Sequence, residues 1–504
     1  MKKKEKNKEK KTTFINNWLV NKTKSFKVAK PRTTPQIIRM FFKDYDIKNS
    51  IIQLDDNHFS VCFEYQDISF SKANYETQEN IFLKWVAYLH SFNYNDHIQV
   101  VCAGKPEKTK DYKQRYIYDT NNFNENENKI ANEFNNLIET TLGDKEEILC
   151  ETRQVVITVV AENMKDAQDI FMQYQLRTEE KFKELKSKIR RVTIKERLAS
   201  IYNVFHNELM DIDDIFEYAK ENDLSIYDVL ATKEDVYLRE KNYINIGNKK
   251  YIRVMYVSRF PKSITPRFYN RITTLENYNI ITTLNITPED PAEFIKKTNK
   301  AISGMKTERL AKIKRALKNN YSYEVVKDEK LEDKLDNALG LREALLKKKQ
   351  KVFTNNILIC IQAESLQELN EATKNIKSIA SEYSIGVQNI DWQQLEGLQN
   401  CMALGWNTLQ FRRSLTSEAT ATNVPFNTKD IMHPYSIYHG INLVSKNPVF
   451  CDRKKLLNGN GCVLATSGAG KSFSIKTIIE QVMLRYPQDE IIVLDPQRRI
   501  WATY

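Results

Sequence analysis

The spacing of apolar and polar residues changes rhythm several times along the 504-residue chain. From Ile51 it is the rhythm of a half-buried hairpin: Ile51–Leu54, a polar turn at Asp55–Asn57, then His58–Tyr65. The pattern next predicts an amphipathic helix over Thr77–Phe92 and a strand over Ile98–Cys102. The polar, Asn-rich stretch Lys105–Asn128 predicts a surface loop. A helix near Ile130–Leu142 and an almost unbroken apolar strand, Gln154–Val160, restore the alternation, so 35–165 is expected to be an N-terminal α/β unit.

Residues 166–426 are expected to form a helix-rich α/β middle region. Asp166 to about Ile201 has the spacing of one long helix dense in Lys, Arg and Glu, ordinarily a solvated face braced by i,i+4 pairs. Within it, Lys186–Arg191 is basic enough to be a candidate nucleic-acid contact. Strands are predicted over Tyr251–Val257, Ile280–Ile286 and Asn355–Gln362. Between the last two, Pro291–Lys351 predicts two long helices back to back, a spacer or partner-docking arm. A helix over Leu366–Ser381, a strand over Ile385–Ile390 and a helix over Trp392–Met402 follow. Thr422–Phe426 breaks the pattern, and Pro434–Phe450 predicts a β-hairpin, which places a domain boundary near Asn427.

Composition narrows the class. Seventy-seven basic against 65 acidic residues give a net charge of +12, a mild excess that favours anionic partners and equally suits a soluble surface. The basic, low-complexity start makes 1–34 an expected disordered tail. No apolar run approaches the ~18 residues of a membrane helix, which points to a cytoplasmic protein. The seven cysteines form no CxxC pair and sit in apolar segments, so they are expected to be reduced core residues.

The chemistry concentrates near residue 470. A short apolar strand (Cys462–Leu464) is predicted to run into Ala465-Thr466-Ser467-Gly468-Ala469-Gly470-Lys471-Ser472, followed by a helix from Phe473 to Arg485 with apolar Phe473, Ile475, Ile478, Ile479, Val482 and Met483. Strand, small-residue loop and helix in this order form a phosphate-binding loop. Small residues let successive N–H groups turn inward around phosphates, and the helix brings its positive end to the same place. Lys471 is expected to neutralise the β- and γ-phosphates of ATP, and Ser472 to coordinate Mg²⁺. Ala465 stands where the loop pattern has its first glycine. A second strand, Glu490–Asp495, is predicted to follow, with Asp495 as a strand-end acid near the site.

These residues, with Tyr435–Asn442, Asn447–Phe450, Asp452-Arg453, Asn458–Gly461 and Ile491–Pro496, resemble the conjugal-transfer ATPases of type IV secretion systems. The nearest type is the fourth component of the VirB set, in the form carried by Gram-positive integrative elements. Ser417–Phe426 resembles that family's connector before its ATPase domain. The resemblance implies a multi-domain α/β protein: an N-terminal α+β region with long helices, then, over 427–504, the start of a RecA-like P-loop NTPase domain. It further implies ATP and Mg²⁺ as cofactors, channel proteins at the inner membrane as partners, peripheral association with that membrane's cytoplasmic face, and a homo-oligomer, often a hexamer. DNA contact is expected to be indirect or weak. The acidic pair that positions water in such ATPases is expected beyond Tyr504, so that 1–504 alone should hydrolyse ATP weakly or not at all. Two other readings fit the residues: a non-catalytic docking module for channel proteins, and a HerA/FtsK-type DNA translocase.

Overall fold

A computed structural model describes residues 33–71, 73–108, 114–121, 123–142, 147–206, 214–260, 268, 271–272, 278–319, 328–347, 350–427, 431–442, 448–456, 458–466 and 468–495. The expected tail falls almost wholly outside them. The protein is a mixed α/β, multi-domain structure built on a large antiparallel sheet.

The strands are β1 (Asp44–Asp46), β2 (Ile51–Gln53), β3 (His58–Tyr65), β4 (His97–Lys108), β5 (Glu147–Val160), β6 (Ile189–Arg191), β7 (Val236–Tyr237), β8 (Ile244–Ile246), β9 (Lys250–Arg259), β10 (Asn279–Pro288), β11 (Val352–Ala363), β12 (Gly386–Asn389) and β13 (Arg413–Thr416). They lie in the order β1-β2-β3-β5-β4-β10-β11-β9-β8-β7, with β6 beside β3, β12 beside β9 and β13 beside β11. The order contains a repeat. The run β3, helix Tyr75–Leu89, β4, β5, helix Met164–Glu184, β6 has the spatial order β6-β3-β5-β4. The run β9, β10, β11, helix Leu366–Glu382, β12 has the order β12-β9-β11-β10. The first is the β-α-β-β-α-β, ferredoxin-like arrangement, and the second repeats its strand order and its second helix. In the second run the β9–β10 connection is largely outside the described residues, though its Phe268 and Ile272 are buried in the same core. The halves join edge to edge along β4 and β10, where Val100 faces Leu284. Each half carries an insertion between its second and third strands, at 109–146 and 289–351. Because β4 and β10 are antiparallel, the two insertions leave opposite ends of the sheet.

Helices cover both faces, which is why the strands are apolar almost throughout rather than alternating. On one face Trp85, Tyr88, Phe171, Phe182, Leu369 and Ile376 pack on Phe63, Ile157, Leu284 and Ile359. On the other, Leu198, Ile201, Leu230, Leu398 and Cys401 pack on Ile52, Val101, Val254, Leu358 and Cys360. A polar seam lies under the second layer. Buried Arg197 donates to the Ser60 carbonyl at 2.9 Å, and Gln99 and Gly405 bond to each other, the Gly405 N–H donating to the Gln99 amide oxygen at 3.0 Å. Gly405 has φ +95°, and a Cβ there would lie 2.1 Å from the Thr158 hydroxyl, so both conformation and space demand glycine.

Helix starts follow local chemistry: Asn74 and Asn163 accept from N–H groups of the first turn, and Asp290 precedes Pro291. The long helix expected over Asp166–Ile201 is two, Met164–Glu184 and Ile194–Phe205. Lys186 takes φ +60°, ending the first, and a Thr193–Glu196 capping box starts the second. Between them, Ile189–Arg191 becomes β6. Arg190, part of the candidate nucleic-acid segment, is held between Glu64 and Glu196. Burial works to raise the Glu196 carboxyl, but Arg190 and the Thr193 N–H overcome it and hold it at about 2. The Lys105–Asn128 loop is also shorter than expected, since β4 runs to Lys108 and a helix begins at Glu125. No described helix is long and apolar enough to cross a membrane.

The chain leaves this sheet through 423–427. Phe426 is fully buried against the rings of Tyr65, Trp85 and Phe182. Buried Arg153 on β5 donates to the Pro425 carbonyl at 2.9 Å and pairs with Asp67 at 3.0 Å and Glu151 at 2.7 Å. Asp67 in turn accepts from the Asn427 N–H at 2.9 Å. The connector is therefore packed into the first half of the sheet.

Candidate functional site

After the connector come β14 (Ile437–Ile441) and β15 (Pro448–Cys451), paired as the predicted hairpin, and a short 3-10 turn at Arg453–Lys455. Asp452 caps that turn, accepting from the Lys454 N–H at 3.0 Å. Burial favours the neutral acid, but this bond and the Lys455 ammonium keep its carboxyl below its ordinary value. Lys454 pairs with Asp489 at 2.6 Å and lies 4.3 Å from the Tyr486 ring centre, tying the turn to the far end of the following helix.

Residues 458–466 belong to no helix or strand, and neither do 490–495. The strands expected at Cys462–Leu464 and Glu490–Asp495 are thus absent among the described residues. A strand is defined by its ladder, and neither segment has a neighbouring strand among the described residues. Residues 458–466 lie open and 490–495 alternates open with half-buried positions: Leu464 and Leu494 are each 90% exposed. Cys462 is exposed too, unlike the buried Cys62, Cys102, Cys360, Cys401 and Cys451, which corrects its expected place in a core.

The loop has a definite shape. Gly468 and Gly470 take φ +80° and +84°, the left-handed region. A Cβ at either would meet nothing, so the requirement is conformational rather than steric. The helix begins at Lys471 and runs to Arg485, two residues earlier than the apolar pattern predicts. Gly470 is its N-cap, with no side-chain capping bond and no acid in the first turn, so the helix's own residues do not offset its positive end. Lys471 Nζ reaches back to the carbonyls of Ala465 and Thr466, at 2.7 Å each. An ammonium has three hydrogens, so one remains for a further acceptor. Ser472 and Phe473 are exposed beside it, and Ala469 closes the loop with a long bond to the Thr466 carbonyl, 3.4 Å. Ser467 lies outside the described residues.

The helix packs differently from its apolar pattern. Phe473 and Met483 are exposed, and no residue from Lys471 to Glu480 is buried. The buried residues are Gln481 and Leu484. Gln481 Oε1 accepts from the Tyr118 hydroxyl at 3.1 Å and from the Tyr438 N–H at 2.7 Å, while its Nε2 donates to the Tyr438 carbonyl at 2.9 Å. Arg485 donates to the Tyr116 carbonyl at 2.6 Å and lies 4.0 Å from the Tyr118 ring centre. Tyr116, Tyr118, Phe134, Ile138, Phe450 and Leu484 close the contact in a small apolar cluster. Burial pushes the Tyr118 hydroxyl up to about 12, so it is a neutral donor here. The sequence pattern missed these contacts because a glutamine among isoleucines reads as a solvent-facing residue.

Lys471, Gly468, Gly470, Ala465, Thr466 and Ala469 are therefore brought together, with Ser472 at the rim, whereas Phe473 points to solvent away from any packed contact. An open helix start, two left-handed glycines and a lysine with a spare hydrogen together suit an anion with several oxygens. No curated protein matches the chain. Residues 442–498 match the protein family described as the helicase HerA central domain, which places this stretch beside the HerA/FtsK-type P-loop ATPases, a family that includes conjugation ATPases.

Proposed function

We propose that residues 465–472 bind a Mg²⁺-nucleoside triphosphate and that the protein serves as an ATP-dependent motor component of a conjugative type IV secretion apparatus. The observation that carries the nucleotide reading is Lys471, anchored to the loop carbonyls at the uncapped start of its helix. In this reading the loop N–H groups and the Lys471 ammonium hold the β- and γ-phosphates, and the Ser472 hydroxyl is a ligand to Mg²⁺. The bound metal would supply charge neutralisation at those phosphates. Partners in this reading are channel proteins at the inner face of the membrane, with the chain acting as a homo-oligomer. Support for the conjugative assignment comes from the motifs flanking the loop and from a family match that includes conjugation ATPases.

The test is calorimetric titration of the protein with a slowly hydrolysed ATP analogue and Mg²⁺. Lys471→Ala removes a charge-assisted bond worth about 1.5–3 kcal/mol, so affinity should fall about tenfold or more. Equal affinity in the variant overturns the nucleotide reading.

A second reading, a translocase acting directly on DNA, is favoured by the HerA description of the match. It requires DNA affinity that falls steeply with salt. A flat salt dependence removes it.

A further inference from the structure

The loop helix is held at the end away from the loop, between the insertion that follows β4 and the β14–β15 hairpin. We infer that Tyr118, Gln481 and Arg485 are positioning residues that couple nucleotide occupancy of the loop to the 109–146 insertion. The inference rests on the nucleotide reading above and adds a regulatory contact to it.

Three observations carry it. Gln481 is fully buried, and both of its polar atoms are used on two separate elements, Tyr118 of the insertion and Tyr438 of β14. Sliding the helix by one turn would break all three bonds. Arg485, one turn further on the same face, grips the Tyr116 carbonyl and the Tyr118 ring. The gripped segment is itself rigidly attached, since the Tyr118 N–H and carbonyl bond the Asn135 amide at 2.8 and 3.0 Å, locking it to the helix Glu125–Leu142. By contrast, nothing from Lys471 to Glu480 is buried.

The consequence is mechanical. Gln481 lies ten helical steps from Lys471, roughly 15 Å at 1.5 Å per residue. A helix is stiff over that length, so a shift at its open start is felt at its clamped end. Phosphate contacts at Lys471 would fix the second end, and the insertion, joined to the sheet through β4 and β5, would be the part of the first half that responds. By linkage, a contact that responds to the ligand must alter the ligand's affinity by the same factor.

Hydrogen exchange of peptides from 114–142, with and without saturating Mg²⁺ and ATP analogue, tests this in the full chain, alongside the calorimetric affinity. In the unaltered protein, nucleotide should slow exchange there. Tyr118→Phe keeps the ring beneath Arg485 and deletes only the hydroxyl. It should retain the melting temperature within a few degrees, weaken analogue binding about fivefold or more, and shrink the exchange response. A gentler variant, Arg485→Lys, should fall between. If the analogue binds in a Lys471-dependent way but exchange in 114–142 is unchanged, or Tyr118→Phe binds as tightly as the parent, the coupling is overturned and the nucleotide site stands. Binding that does not depend on Lys471 removes both.

Discussion

Two apolar stretches of similar composition, Gln154–Val160 and Glu490–Asp495, have opposite fates. The first is the centre of β5, with Ile157 paired to Val61 on one side and Ile98 on the other, and Val155 to Val159 are at most 3% exposed. The second forms no strand, and its Ile492 and Leu494 are 77% and 90% exposed. Side-chain pattern is therefore a capacity for strand formation, and the neighbours on either side turn that capacity into a buried strand. The contrast extends to whole regions: 44–427 is a three-layer fold closed by its connector, while the described contacts of 458–495 with it come from the far end of the loop helix.

The largest effect should come from breaking the closed region. Phe426→Ala empties a site lined by Tyr65, Trp85 and Phe182, and should cost about 3–5 kcal/mol in denaturant unfolding followed by tryptophan fluorescence. A loss under 1 kcal/mol would mean the connector is peripheral to the fold.

A pH effect of intermediate size should arise at His97. Burial, opposed in part by the bond to Asn285, lowers its imidazole from 6.5 to about 3. Above pH 6.5 both folded and unfolded chains hold it neutral. As pH falls from 6.5 towards 3, the unfolded chain takes up a proton that the folded one refuses, so stability drops by up to about 1.4 kcal/mol per unit. His97→Gln should flatten that part of the stability curve; an unchanged slope would assign the acid sensitivity to other groups.

The smallest effect is expected in the open region. Leu494→Ser should shift stability by less than about 0.5 kcal/mol, because little apolar contact is lost. A clear loss of cooperative unfolding would show that this segment is packed in solution and would erase the comparison.

Much of the fold was legible. The strands at Tyr251–Val257 and Ile280–Ile286, and the helices at Leu366–Ser381 and Trp392–Met402, all fall within a few residues of the observed elements, since period and capping act locally. The loop's glycines and lysine were legible for the same reason: left-handed backbone and a helix start are short-range properties. Elements that depend on distant partners were not. Lys186–Arg191 was indistinguishable from a solvated charge run until β3 and Glu64 supplied a ladder and a counter-charge.

What the sequence determined by itself is therefore the set of local conformations: where helices can start, where glycine must stand, which runs can be buried. Tertiary structure alone decided that two halves repeat one topology across β4 and β10, that Gln481 rather than Ile478 is a buried anchor of the loop helix, and that Leu464 and Leu494 lie open. The physical reason is range. Dihedral preference and capping are settled within a few residues, whereas burial and pairing depend on surfaces hundreds of residues apart in the chain.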